Sequence, residues 1–221
     1  MTRRTAVFLL TPLPGVQAAE PWKVKDAAEW SSADRQKLRT NSPWAKEAVV
    51  GGATRTVRRK AAAPPPKSDP RKSATAPPPI TSNNPTEHLA VRATVRWASA
   101  QPFFDAIKKE KTKMAKESYI LSLTGWPAYG PNSAGLPQGS MAAMLKDGAA
   151  LERKGRDPIT PSVVEEAQSL DGELFLFLFP KVAQPIEAPD KEVTFHVKAA
   201  GMEVRAKFVL KDMEYEGKLE L

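Results

Sequence analysis

The 221-residue chain contains no cysteine and only two histidines. Without thiols there is no disulfide framework, no thiolate metal centre and no cysteine nucleophile, and His88 and His196 alone do not make a histidine-based metal site. No run approaches the ~20 apolar residues that a membrane-spanning helix needs, so no span is expected in the mature chain. Catalytic motifs are lacking too. Neither histidine has a recognisable Ser or Asp partner, and Ser42 and Ser140 stand outside any nucleophile-elbow context. The sequence therefore assigns no catalytic, metal-binding or cofactor-binding residue, and no cofactor.

What is present in excess is positive charge, +8 in all, and its placement matters more than its size. Arg3, Arg4 and the segment 53–86 carry the whole excess, and the rest of the chain is balanced. A nucleic-acid partner would require clustered Lys and Arg on the folded part, so that class of partner is not expected. The first residues combine Arg3 and Arg4 with an apolar stretch from Ala6 to Val16, and Val16-Gln17-Ala18 offers a small-x-small cleavage site. Residues 1–19 thus read as a signal peptide, which places the mature protein in the periplasm or outside the cell.

Residues 20–52 hold Trp22, Trp30 and Trp44. A short helix capped at Ser31 or Ser32 is predicted there, ended by Asn41-Ser42-Pro43 and followed by an extended stretch. Three tryptophans are poorly buried by a lone helix, so this segment is expected to dock on the main domain. Residues 53–86, with Pro64-Pro65-Pro66 and Pro77-Pro78-Pro79, have the composition of a disordered basic linker.

Residues 87–221 form the main domain. Leu89 to Trp97 alternates as a half-buried strand, and a helix capped by Ser99 and carrying Phe103, Phe104, Ile107 and Met114 should follow. A strand over Tyr119–Thr124, a helix from Ser140 and a short strand at Leu151–Arg153 come next. Thr160-Pro161 or Ser162–Glu165 reads as the start of another helix. Glu173–Phe179 is apolar on both faces and reads as a central, covered strand. The last thirty residues alternate again and read as an antiparallel meander. The fold class expected is α+β: one mixed, mainly antiparallel sheet with two or three helices packed largely on one face.

Two features are candidate sites. In the loop Gly125–Pro131, Trp126 and Tyr129 stand among rigid turn residues, as stacking groups for a sugar or peptide would, although Trp126 also suits a buried anchor. Glu165, Glu166, Asp171 and Glu173 are the acids nearest a buried strand, and paired carboxylates are what a glycoside hydrolase uses. Lys108, Lys109, Lys111, Lys113 and Lys116 form a basic run that a solvated helix face explains.

Trp30, Asn41-Ser42-Pro43-Trp44-Ala45-Lys46, Val95–Ala100, the string Glu173–Pro180, and Lys211-Asp212-Met213 with Gly217-Lys218-Leu219 together resemble a set of secreted proteins of acidobacterial-type soil bacteria. That resemblance implies export and a pairing of the SPWAK segment with a C-terminal α+β domain, and it brings no activity and no catalytic residue. The function expected is a non-enzymatic binding or envelope-associated module, its partner an envelope component, polysaccharide or protein. The alternative is a small cell-wall or polysaccharide hydrolase working through carboxylates.

Overall fold

The computed structural model describes residues 20–58, 86–127, 140–169, 172–182 and 184–221. The linker core, Tyr129 and Asp171 lie outside the described residues, as does the leader.

The chain opens with helix α1 (Pro21–Val24), a 3-10 turn at Ala27–Glu29 and helix α2 (Ser32–Thr40). Ser31 and Asp34 make a reciprocal capping box that sets the start of α2, and Asn41 ends it. Strands β1 (Ala45–Arg58) and β2 (Thr86–Trp97) then form a long hairpin pair. Short helices α3 (Gln101–Ala106) and α4 (Lys113–Glu117) lead into β3 (Ser118–Thr124). After them come α5 (Ser140–Asp147), β4 (Ala149–Arg153), β5 (Arg156–Ile159), β6 (Val163–Ser169) and β7 (Gly172–Pro180). The meander β8 (Glu192–Ala199) and β9 (Met202–Val209) follows, and a small hairpin of β10 (Glu214–Tyr215) and β11 (Lys218–Leu219) closes the chain.

Nine of these strands make one antiparallel sheet in the order β5-β4-β8-β9-β1-β2-β3-β7-β6, curved into a half-barrel. The register of β1 with β2 shifts between Val49 and Thr54, and β1 meets β9 through Gly51 opposite Glu203. Gly52 (φ 78) packs against the carbonyl of Gly201 so closely that a Cβ would overlap it. Only glycine permits the two strands to approach there, and the junction folds one half of the sheet over the other.

Strand alternation then does the packing. Ala93, Val95 and Trp97 of β2, Leu121 and Leu123 of β3, and Phe175, Phe177 and Phe179 of β7 face inward, against Val193, Phe195 and Val197 of β8 and Met202, Val204, Ala206 and Phe208 of β9. Edge-to-face contacts cross the fold at Phe177–Phe195 (5.1 Å between centroids) and Trp97–Phe208 (5.3 Å). Helix α5 packs against β6 and β8 and buries Leu145 in the gap between the two halves.

This mostly β architecture overturns the α+β expectation, with its helices on one face of a mixed sheet. Two expected helices account for the difference. Ser99 does not cap a long helix; its Oγ accepts the amide of Ile120, extending the β2–β3 pairing. Helix α3 stops after six residues, Lys108 takes a positive φ of 53, and Thr112 caps a separate short α4. A continuous helix would have stacked Lys109 above Lys113, a like-charge i,i+4 pair. Ile107 and Met114 are consequently exposed. The second expected helix, after Thr160-Pro161, is strand β6. Ser162 gives its amide and its hydroxyl to the Leu178 carbonyl, and Val163 through Ser169 pair along β7. Tertiary pairing overrides the local capping signal, helped by the β-branched Val163 and Val164.

Candidate functional site

The three N-terminal tryptophans share the core of the sheet, and Trp22 with the residues after it and the terminal hairpin line a cleft. Asp26 caps the 3-10 turn by accepting the amide of Ala28, and the Trp30 indole donates to the Lys25 carbonyl at 3.3 Å. Lys25 reaches Asp34 at 2.9 Å, and this contact with the Ser31 hydrogen bonds holds the Asp34 carboxyl at about 2. Behind them Trp44 touches Trp22 edge-on at 6.0 Å and Tyr215 at 6.4 Å, and Trp30 meets Tyr215 at 6.2 Å.

Tyr215 is the common wall of two adjoining hollows. One, of about 420 Å³, lies between Trp22–Ala27 and Glu214–Gly217. The other, of about 530 Å³, lies between Asp26, Asp105 and Lys108–Glu110. Burial raises the Tyr215 pKa well above the ordinary tyrosine value, and the hydrogen bond to Asp105 with the charges of Asp105, Glu216 and Asp26 raises it further. Lys108 (φ 53) and Glu216 (φ 51) on the rim both adopt left-handed backbone, a conformation uncommon for such side chains. Among the described residues Asp26, Lys108, Lys109 and Glu216 have no ion-pair partner, and the Nε1–H of Trp22, 4% exposed, has no hydrogen-bond acceptor. A cleft with free charges of both signs is suited to holding a polar, zwitterionic group.

Of the described residues weighed as sites in the sequence, only Lys108 and Lys109 reach this cleft. Trp126 is 4% exposed and belongs to the core, so it anchors its loop rather than offering a ring to solvent. Glu165 and Glu166 are exposed neighbours on edge strand β6 and so point to opposite faces, and Glu173 stands opposite Gln168 on β7. The basic run is divided: Lys111 pairs with Glu220 at 3.0 Å and Lys113 with Glu117 at 3.8 Å, while Lys108 and Lys109 border the cleft. His196 lies on the outer face between Glu152 (3.5 Å) and Glu203 (3.3 Å), where Arg205 also binds Glu203 at 2.6 Å. Among the described residues no three His, Asp or Glu side chains gather to hold a metal ion, and no helix is long and apolar enough to cross a membrane. In the sequence Tyr215 reads only as part of the last alternating run of the meander, with Leu219 and Leu221, and nothing there marks it as a site residue.

Lys181, just after β7, is the most perturbed amine described. It lies over the Tyr119 ring at 5.0 Å and donates to the carbonyls of Ala115 (2.9 Å) and Leu221 (3.3 Å). Burial first, then repulsion from Lys111, lowers its pKa from 10.5 to about 8, against the pull of Glu220. The folded state thus releases this proton near pH 8 while the unfolded chain keeps it to 10.5, so stability gains a rising increment between those values. Above pH 10 the raised pKa values of Tyr119 and Tyr215 act in the opposite direction. Urea midpoints at pH 8 and pH 9.5 should rise more for the native chain than for Lys181→Met; equal slopes would show that Lys181 titrates normally.

No protein-family model, curated protein or solved structure matches this chain.

Proposed function

We propose that the chain is an exported, non-catalytic binding module of the cell envelope whose contact surface is the cleft around Tyr215, and that its ligand is a zwitterionic envelope component of peptide character. The observation that carries this reading is the unpaired rim, where Asp26 and Glu216 share the lining with Lys108 and Lys109. A peptide ammonium suits the carboxylates and a peptide carboxylate suits the lysines. Rigid anchoring of both walls on the Trp44–Tyr215 aromatic group keeps the ordering cost of binding low.

The test is titration of the chain with a soluble muramyl peptide and, separately, with a neutral chitin oligosaccharide, read by calorimetry and tryptophan fluorescence. The peptide should bind saturably and the neutral sugar should not. The pairs Asp26→Asn with Glu216→Gln, and Lys108→Ala with Lys109→Ala, should each weaken binding by about tenfold or more, the effect of losing ~1.4 kcal/mol. Binding insensitive to both pairs, or cleavage of either ligand during the titration, would overturn the reading.

A further inference from the structure

The hairpin of β10 and β11 has a second hollow on its other side, chemically unlike the first. Its volume is about 470 Å³, and Ala188, Val209, Leu210 and Leu219 supply an apolar lining. Lys191 and Lys211 stand at the same hollow, and among the described residues neither has an ion-pair partner, whereas Glu192 is neutralised by Lys207 at 2.6 Å. Glu214, a carboxylate likewise without an ion-pair partner among the described residues, forms the wall shared with the Tyr215 cleft, so the two unpaired lysines outnumber one unpaired acid. Lys191 also carries an unfavourable backbone, φ 62 with ψ −47, outside the left-handed helical region and close to the strained γ-turn, a conformation that glycine adopts more readily than lysine. The strain is held in place by the Leu210 amide, which donates to the Lys191 carbonyl at 2.9 Å, and by the Lys191 amide, which donates to Ala188 at 3.1 Å.

From the apolar lining, the two unpaired ammonium groups and the strained lysine, we infer that this hollow is a binding site for a small amphiphilic carboxylate, with an alkyl tail against Val209, Leu210 and Leu219 and its head between Lys191 and Lys211. An apolar tail alone would be served by any exposed hydrophobic patch; the unpaired cations give the site its preference for an anionic head. This inference does not depend on the reading of the Tyr215 cleft.

The probe is sodium decanoate, with decyltrimethylammonium and acetate as comparisons, titrated into the isotopically labelled full chain. Decanoate should saturate with amide shifts centred on Lys191, Leu210, Lys211 and Leu219, and the other two compounds should not. Lys211→Gln should weaken decanoate by about tenfold. Lys191→Gly is the discriminating variant: it should raise the melting temperature by relieving the backbone and at the same time weaken decanoate. Equal binding of the cationic surfactant would reduce the hollow to an apolar patch and overturn the inference. So would the absence of saturable decanoate binding, or a Lys191→Gly chain that binds decanoate as well as the native one.

Discussion

Replacing Trp44 with alanine is expected to cost about 3–5 kcal/mol of folding stability, the range for truncating a fully buried large aromatic. The indole is completely buried, and its ring meets both Trp22 of the N-terminal segment and Tyr215 of the terminal hairpin. Its Nε1–H donates to the Glu220 carbonyl at 2.8 Å, and its own carbonyl accepts the Trp97 amide at 2.8 Å, so it joins the N-terminal segment, β2 and the last residues of the chain at one point. Alanine keeps the backbone bond, empties the indole volume and leaves the Glu220 carbonyl without its donor. Trp44→Phe separates these effects: it keeps most of the apolar contact and loses the hydrogen bond, at a cost of about 1–3 kcal/mol. Urea unfolding of the three proteins checks the order. A Trp44→Ala chain within about 1 kcal/mol of the native one would mean that the N-terminal segment is packed on the body without contributing to its stability.

How far such a centre can be read in the sequence depends on which interactions are local. The cap of α2 was legible because Ser31 and Asp34 lie three residues apart and meet within one turn. Inward and outward residues of β2, β8 and β9 were legible because alternation is a property of the strand itself. The docking of three tryptophans was inferred from burial alone. What could not be read was decided by partners far along the chain. Ser99 had two uses, and Ile120, twenty-one residues later, chose the sheet over the helix. Thr160 and Pro161 carry a sound helix-start signal that β7 cancels by pairing with the residues that follow. The site suffers most from this: Tyr215, Asp26 and Asp105 come from three distant segments, and no linear spacing relates them. Trp126 shows the converse, since an aromatic between turn residues suits a buried anchor as well as a binding loop, and only the fold tells the two apart.

A second large effect is expected at Arg153, whose guanidinium does what no apolar residue of its size can. The side chain is 2% exposed, and its fork gives one N–H to the Pro185 carbonyl at 3.0 Å and another to Gln184 Oε1 at 2.8 Å, with the Asp190 carboxylate 3.6 Å away. Asp190 is itself 3% exposed; it accepts the Glu187 amide at 3.1 Å and faces Arg156 at 3.0 Å. Arg153→Met would fill much of the volume yet strip a donor from the Pro185 carbonyl and from Gln184 Oε1, both part-buried bonds, and half the compensation from a buried carboxylate. Breaking one side of such a pair costs about 3–5 kcal/mol, and the lower end applies because Arg156 stays beside Asp190. Arg153→Lys should recover little of it, since a single ammonium does not span both oxygens of the 184–185 segment. The same residues hold the chain that ends in Lys191, so the Met variant should also weaken decanoate binding through the 184–191 segment, without touching the hollow itself. Adding Arg156→Met to Arg153→Met decides between pairing and packing: if Asp190 needs a cation, the double variant loses more than the sum of the single losses, because only it leaves the carboxylate buried with no positive partner. Strict additivity would assign Arg153 a packing role alone.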